Sequence, residues 1–146
     1  CQMGNVRTEI AISARSADVW RVLFDTAVYP LWNPLVTAVR GLPEEGRTIR
    51  IRLKVKSLPP LWVPVVVETL RPAERLCWTF TLPFGLFRAE HCFSLHKEPD
   101  GGTRFVNDER FSGLLGEFAG IMMNRLFRGD YEGMDRALAR RVGDAV

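Results

Sequence analysis

His91 and Glu109 are the residues of this 146-residue chain whose types best suit acid–base work. An imidazole titrates near neutrality, and a carboxylate behind it raises its basicity. Such a pair suits proton abstraction or dehydration on a poly-carbonyl compound. Asn107 joins them as a group able to orient the polar end of a ligand. Two quieter roles fit the same residues. Buried polar groups cost roughly a few kcal/mol each unless partnered, so they could satisfy one another inside a sheet, or contact a ligand without reacting. Other chemistry lacks its residues. There is no Ser or Cys nucleophile in a recognisable elbow, no phosphate-cradling glycine loop and no His/Glu metal spacing. Cys1, Cys77 and Cys92 show no metal spacing either. No metal, nucleotide or redox cofactor is expected.

A turn brings the three polar residues together. Pro99-Asp100-Gly101-Gly102 joins two apolar, alternating segments, Leu86 to Lys97 and Thr103 to Phe111. Pairing Lys97 with Thr103 sets Leu95 against Phe105, Phe93 against Asn107 and His91 against Glu109. The other face then pairs Ser94 with Val106, Cys92 with Asp108 and Glu90 with Arg110, an opposite-charge pair suited to solvent. A slip of one residue would put Phe93, Phe105 and Phe111 in water. The inward face therefore carries Phe87, Ala89, His91, Phe93, Phe105, Asn107, Glu109 and Phe111. Trp78 and Phe80 on the preceding strand share it, and His96 falls on the outer face.

The remaining elements follow from hydrophobic period and turn residues. Val6 to Ala14 reads as a strand. Ser16 is placed to cap a helix, with Asp18 in its first turn and Trp20, Leu23, Phe24 and Ala27 as its buried stripe. Pro30 stops it. Strands follow at Leu35 to Arg40, Arg47 to Lys56, Trp62 to Leu70 and Arg75 to Leu82, ahead of the two already described. A long helix, Glu117 to Val142, ends the chain. Phe118, Met122, Leu126 and Ala137 mark its wall toward the sheet, and Gly129 and Gly133 on that side suggest close approach or free space. This segregated order predicts an α+β fold, a curved antiparallel sheet packed on one helix.

Composition excludes several classes. Hydrophobic residues make up 47% and charged residues 25%, as in ordinary globular chains. The length fits one domain, residues 3–146. No apolar run approaches the ~20 residues that span a bilayer, and the start has no leader-like pattern. Cys1 and Gln2 precede Met3 and read as an addition to the native chain. Net charge is +3, but the arginines are spread along the chain rather than gathered in a stripe, so no nucleic-acid partner is expected. Three cysteines without a pairing framework suggest a reducing compartment, the cytoplasm.

The element order and several strings resemble the START-like (SRPBCC) superfamily, most closely its polyketide cyclase/dehydrase-like branch. The strings are Ser16-Ala17-Asp18-Val19-Trp20, Tyr29-Pro30-Leu31-Trp32-Asn33-Pro34, Gly46-Arg47-Thr48-Ile49-Arg50-Ile51, Arg75-Leu76-Cys77-Trp78, Glu90-His91-Cys92-Phe93 and Glu109-Arg110-Phe111-Ser112-Gly113-Leu114-Leu115. They cover nearly the whole chain. The resemblance implies a helix-grip fold with a ligand cavity between sheet and C-terminal helix. The superfamily includes lipid carriers, hormone and quinone binders, aromatase/cyclases and co-chaperone domains.

In such a cavity the ligand-binding residues would be Trp78, Phe80, Phe87, His91, Phe93, Phe105, Asn107, Glu109, Phe111, Phe118, Met122 and Leu126. Turns at one end of the meander are polar. Those at the other end, Ser57–Leu61, Pro83–Leu86 and Ser112–Gly116, are apolar, and clustered apolar connections mark an interaction site. Leu58, Leu61, Trp62, Phe84, Leu86 and Leu115 are expected to frame the cavity mouth there. Three functions compete: a carrier of a lipid, quinone or polyketide-like aromatic; a cyclase or dehydratase using His91 with Glu109; and an interaction module whose apolar end docks a protein partner or forms a homodimer. The mouth itself could admit the ligand, touch a membrane surface or meet a second subunit.

Overall fold

The computed structural model of the chain describes residues 5–56 and 58–145. Cys1 and Gln2, and Ser57 of the expected mouth, lie outside the described residues. Strand β1 (Asn5–Ile12) leads into helix α1 (Ser16–Phe24) and a 3-10 segment (Thr26–Leu31). Six strands follow: β2 (Val36–Arg40), β3 (Thr48–Leu53), β4 (Leu61–Arg71), β5 (Arg75–Leu82), β6 (Phe87–Lys97) and β7 (Thr103–Ser112). Helix α2 (Gly116–Ala145) ends the chain. The seven strands form one antiparallel sheet in the order β1-β7-β6-β5-β4-β3-β2. Register shifts at Val36/Ala38 and Val67/Thr69 add local bend and twist, as bulges do. The sheet curls around α2 as a half-barrel, the helix-grip arrangement.

The β6–β7 register is the expected one, from Lys97 against Thr103 through His91 against Glu109. Local chemistry fixes the turn. Asp100 Oδ1 accepts the Gly102 N–H at 2.8 Å, and Gly101 takes φ +89°, where glycine carries no steric penalty. Odd-numbered residues of β7 then point into the curl. Phe93, Phe105, Trp78, Leu76 and Val67 are buried there with Leu138, Met134 and Tyr131 of α2. Burying a side chain of this size stabilises by about 1.5–3 kcal/mol, and truncating Phe93 to Ala would cost about 3–5 kcal/mol.

Two expectations are corrected here. Ser16 does not cap α1. Arg15 takes the N-cap position with no side-chain cap bond, and the buried Ser16 hydroxyl meets Thr103 Oγ1 at 3.1 Å. Thr103 in turn donates to the Ala14 carbonyl at 2.7 Å. The serine thus ties the helix start to the first residue of β7. Cys77 and Cys92 are directly opposed across β5 and β6 and joined by a disulfide. A pairing framework therefore exists, and the cysteines no longer argue for a reducing compartment.

Helix α2 makes most of its close approaches to β1 and β7 and few to β6. Among the described residues, no helix is long and apolar enough to cross a membrane.

Candidate functional site

Strand registers assemble a row across the curl: Val67 on β4, Trp78 on β5, His91 on β6, Glu109 on β7 and Val6 on β1. A second row beside it holds Leu76, Phe93, Asn107 and Thr8. Helix α2 lays Tyr131 and Asp135 over these rows. They are four residues apart, hence on one helix face.

The polar atoms form a connected network. Tyr131 donates its hydroxyl to Glu109 Oε1. His91 Nδ1 lies 3.7 Å from the same oxygen. On the far side of the ring, His91 Nε2 is 2.6 Å from Asn107 Oδ1. Asn107 Nδ2 donates to Asp135 Oδ1 at 3.0 Å and toward the Tyr131 carbonyl at 3.4 Å. Those acceptors orient the amide so that its oxygen faces His91 and must accept. His91 therefore carries a proton on Nε2, an assignment made from the network. Nδ1 is left facing Glu109.

Burial sets the electrostatics. It pushes the Asp135 carboxyl up, and Glu132 adds to this, while Thr8, Asn107 and His91 act in the opposite sense. Burial, then the charge of Glu109, also raises the Tyr131 phenol well above its ordinary value. Tyr131 thus stays protonated and donates. Trp78 packs edge-on against His91 and Phe93, with centroids at 6.5 and 5.3 Å. Its indole N–H is buried with no acceptor among the described residues, and Asp135 Oδ2 is likewise unpartnered.

Accessibility divides the site. His91 is 3% exposed and sits behind Phe93, Trp78 and Tyr131, whereas the Glu109 side chain keeps 15%. Toward the apolar end the inner wall is apolar and incompletely covered. Leu53, Val63, Phe80 and Phe87 of the sheet, and Ala119, Met123 and Phe127 of α2, are only partly buried although they pack on the core. Phe87 lies between Phe80 and Phe111, with centroids at 6.3 and 5.9 Å. Glu109 with Tyr131 forms the polar end of this aromatic row.

Of the expected lining, Trp78, Phe80, Phe87, His91, Phe93, Phe105, Asn107, Glu109 and Phe111 share the concave face. Phe118, Met122 and Leu126 do not. They are exposed on the outward side of α2, and Gly129 has nothing near the place of a Cβ. The inner face is Ala119, Met123, Phe127, Tyr131, Met134, Leu138 and Val142. Leu58, Leu61, Phe84, Leu86 and Leu115 are exposed at the apolar end. Trp62 is on the convex face of β4, opposite Arg52, with the Arg40 guanidinium 4.3 Å from its ring; it does not frame the mouth. Tyr131, Asp135 and Thr8 escaped the sequence reading, although Tyr131, Asp135, Leu138 and Val142 recur at helical spacing. No cluster able to hold a metal occurs among the described residues.

A curled seven-stranded sheet gripping one long helix, with an aromatic inner wall ending in a polar network, defines a helix-grip protein. The chain belongs to the family described as polyketide cyclase / dehydrase and lipid transport, whose profile matches residues 3–143. Solved structures agree in fold. A START superfamily protein from Mycobacterium smegmatis is 17% identical with TM-score 0.74, covering 97% of this chain and 99% of that one. The Zhui aromatase/cyclase from a Streptomyces species is 17% identical with TM-score 0.73, covering 95% and 93%. The protein TTHA0849 from Thermus thermophilus is 22% identical with TM-score 0.71, covering 97% and 98%. No curated protein sequence matches the chain.

Proposed function

We propose that the protein binds an amphipathic aromatic or lipid-like small molecule between the concave sheet face and the first half of α2. The observation that carries this is the band of half-buried apolar side chains, Phe80, Phe87, Met123 and Phe127 among them, leading to Glu109. Such pockets are mostly apolar with a few placed polar groups. The aromatic rings supply contact area. Glu109, backed by Tyr131 and His91, accepts a hydrogen bond from a hydroxyl on the ligand's polar end. Family membership supports a hydrophobic ligand. Native mass spectrometry of freshly purified protein, followed by titration with fatty acids and hydroxylated polyaromatics, tests the reading. A copurified or saturably bound compound supports it. Failure of the whole panel, with nothing copurified, contradicts it.

One observation favours a second reading, polyketide-type cyclisation or dehydration. The Asp135–Asn107–His91 chain fixes the imidazole tautomer and leaves the unprotonated Nδ1 on the Glu109 side, 3.7 Å from Oε1, a lone pair free to take a proton. His91→Gln should then abolish turnover of a poly-carbonyl substrate while sparing affinity. Equal loss of both would return His91 to a binding or structural role.

A further inference from the structure

The apolar end is built as a rigid projection rather than a floppy loop. The β5–β6 connection and the β7–α2 connection are joined by backbone hydrogen bonds, Leu114 N–H to Gly85 O at 3.0 Å and Leu115 N–H to Leu86 O at 3.0 Å. Gly113, at φ +88°, lets the two chains meet. A Cβ there would stand 2.8 Å from Gly85 O and 2.9 Å from Phe87 N. The platform displays its largest side chains outward: Phe84 is 101% exposed, Leu114 82% and Phe118 67%. Phe84 also sits at φ +64°, a left-handed conformation that is a genuine outlier for a bulky residue. Strain of this kind persists where surrounding structure enforces it. Leu115, just before α2, and Met122 and Leu126 on it continue the patch. Isolated exposed apolar residues are ordinary, whereas a contiguous rigid set marks a contact surface.

Charge identifies the occupant. The segments that build this end are residues 53–56, 58–63, 81–87 and 111–129. They contain four basic residues, Lys54, Lys56, Arg125 and Arg128, and one acidic residue, Glu117. The rest of the chain holds 16 of each sign, so these segments carry the excess of +3, or +2 when Asp130 beside them is counted. The next carboxylate, Asp130, is turned onto the Lys56 backbone N–H at 3.2 Å. Arginines behind the tip are already paired, Arg88 with Glu68 and Glu90, and Arg110 with Asp108. A second copy meeting this face about a two-fold axis would oppose like charges. An anionic bilayer surface offers both complements, headgroups for the cations and an acyl boundary for the tip.

We infer that the Phe84/Leu114 projection docks on anionic lipid membranes, with Arg125 and Arg128 at headgroup level. This is independent of what the concave site binds. Flotation with vesicles of equal parts phosphatidylcholine and phosphatidylglycerol, compared with phosphatidylcholine alone, tests it. The protein should float with the mixed vesicles and lose that association in high salt. Phe84→Asn with Leu114→Ser should weaken partitioning about ten-fold or more. Both side chains are exposed and asparagine tolerates the left-handed backbone, so the unfolding midpoint should not fall. Arg125→Gln with Arg128→Gln should weaken partitioning about five-fold per arginine. Absence of flotation, or a tip variant that floats like the wild type, overturns the proposal. So does self-association that the tip variant abolishes without any vesicle binding, which would assign the patch to a second copy.

Discussion

His91 and Asp135 never touch, yet one side chain couples them. The Asn107 carboxamide accepts from His91 Nε2 at 2.6 Å and donates to Asp135 Oδ1 at 3.0 Å. Asn107 is fully buried, so these two bonds are made away from water. The sheet supplies the imidazole and the amide, and α2 supplies the carboxyl. The same link therefore holds helix to sheet and sets the tautomer of the site.

Removing that link should be costly. Asn107→Leu strands the His91 N–H and the Asp135 carboxyl in a dry interior, where unmade hydrogen bonds cost about 1–3 kcal/mol each. Urea unfolding should show a loss of about 3 kcal/mol. A loss below about 1 kcal/mol would mean that the network is not closed as described.

Asp135 should make stability pH-dependent in a defined direction. Its carboxyl is raised in the fold, mainly by burial, so the folded state holds the proton more tightly than the unfolded state. The associated stability is fully present below the unfolded value of about 3.9 and is lost as pH rises through the folded value. Asp135→Asn keeps the oxygen that accepts from Asn107 and removes the charge. The variant should gain on the wild type as pH rises from about 3.9 toward neutrality. Urea titrations across that window showing a constant difference, or a deficit growing with pH, would contradict the assignment.

The Cys77–Cys92 bridge joins the strands that carry Trp78 and His91. A cross-link over about 15 residues stabilises by roughly 3 kcal/mol in the chain-entropy account. Replacing both cysteines with serine should lower stability by about that amount while Arg75 retains its bond to Ser94 Oγ. Ellman titration of the denatured wild type should find the thiols of Cys77 and Cys92 unreactive until a reductant is added. Free thiols there would refute the bridge.

Much of the sheet was legible because turns fix register. The Pro99–Gly102 turn placed His91 opposite Glu109, as observed. The same reasoning applied to Pro83–Leu86, where Leu82 meets Phe87, pairs Cys77 with Cys92. That signal was present in the chain, whereas cysteine spacing alone hid it. The face of α2 was misread for a physical reason. Its first half carries adjacent apolar residues, Phe118-Ala119, Met122-Met123 and Leu126-Phe127, so period alone supports two faces. The second half decides, where Tyr131, Met134, Leu138 and Val142 are buried. Asp135 was missed because a carboxylate on a helix normally reads as solvated. Only the register of Asn107 against the helix reveals its partner.

The central claim is that an apolar ligand enters the concave side and not the exposed tip. Met122 and Met123 provide an internal comparison, since Met122 is exposed on the outward face of α2 and Met123 packs on the core. The decisive measurement is methyl NMR of methionine-labelled protein titrated with 1-anilinonaphthalene-8-sulfonate, an amphipathic aromatic. A saturable shift of the Met123 methyl with Met122 unmoved is the predicted result. A shift confined to Met122, or none that saturates, would contradict the account.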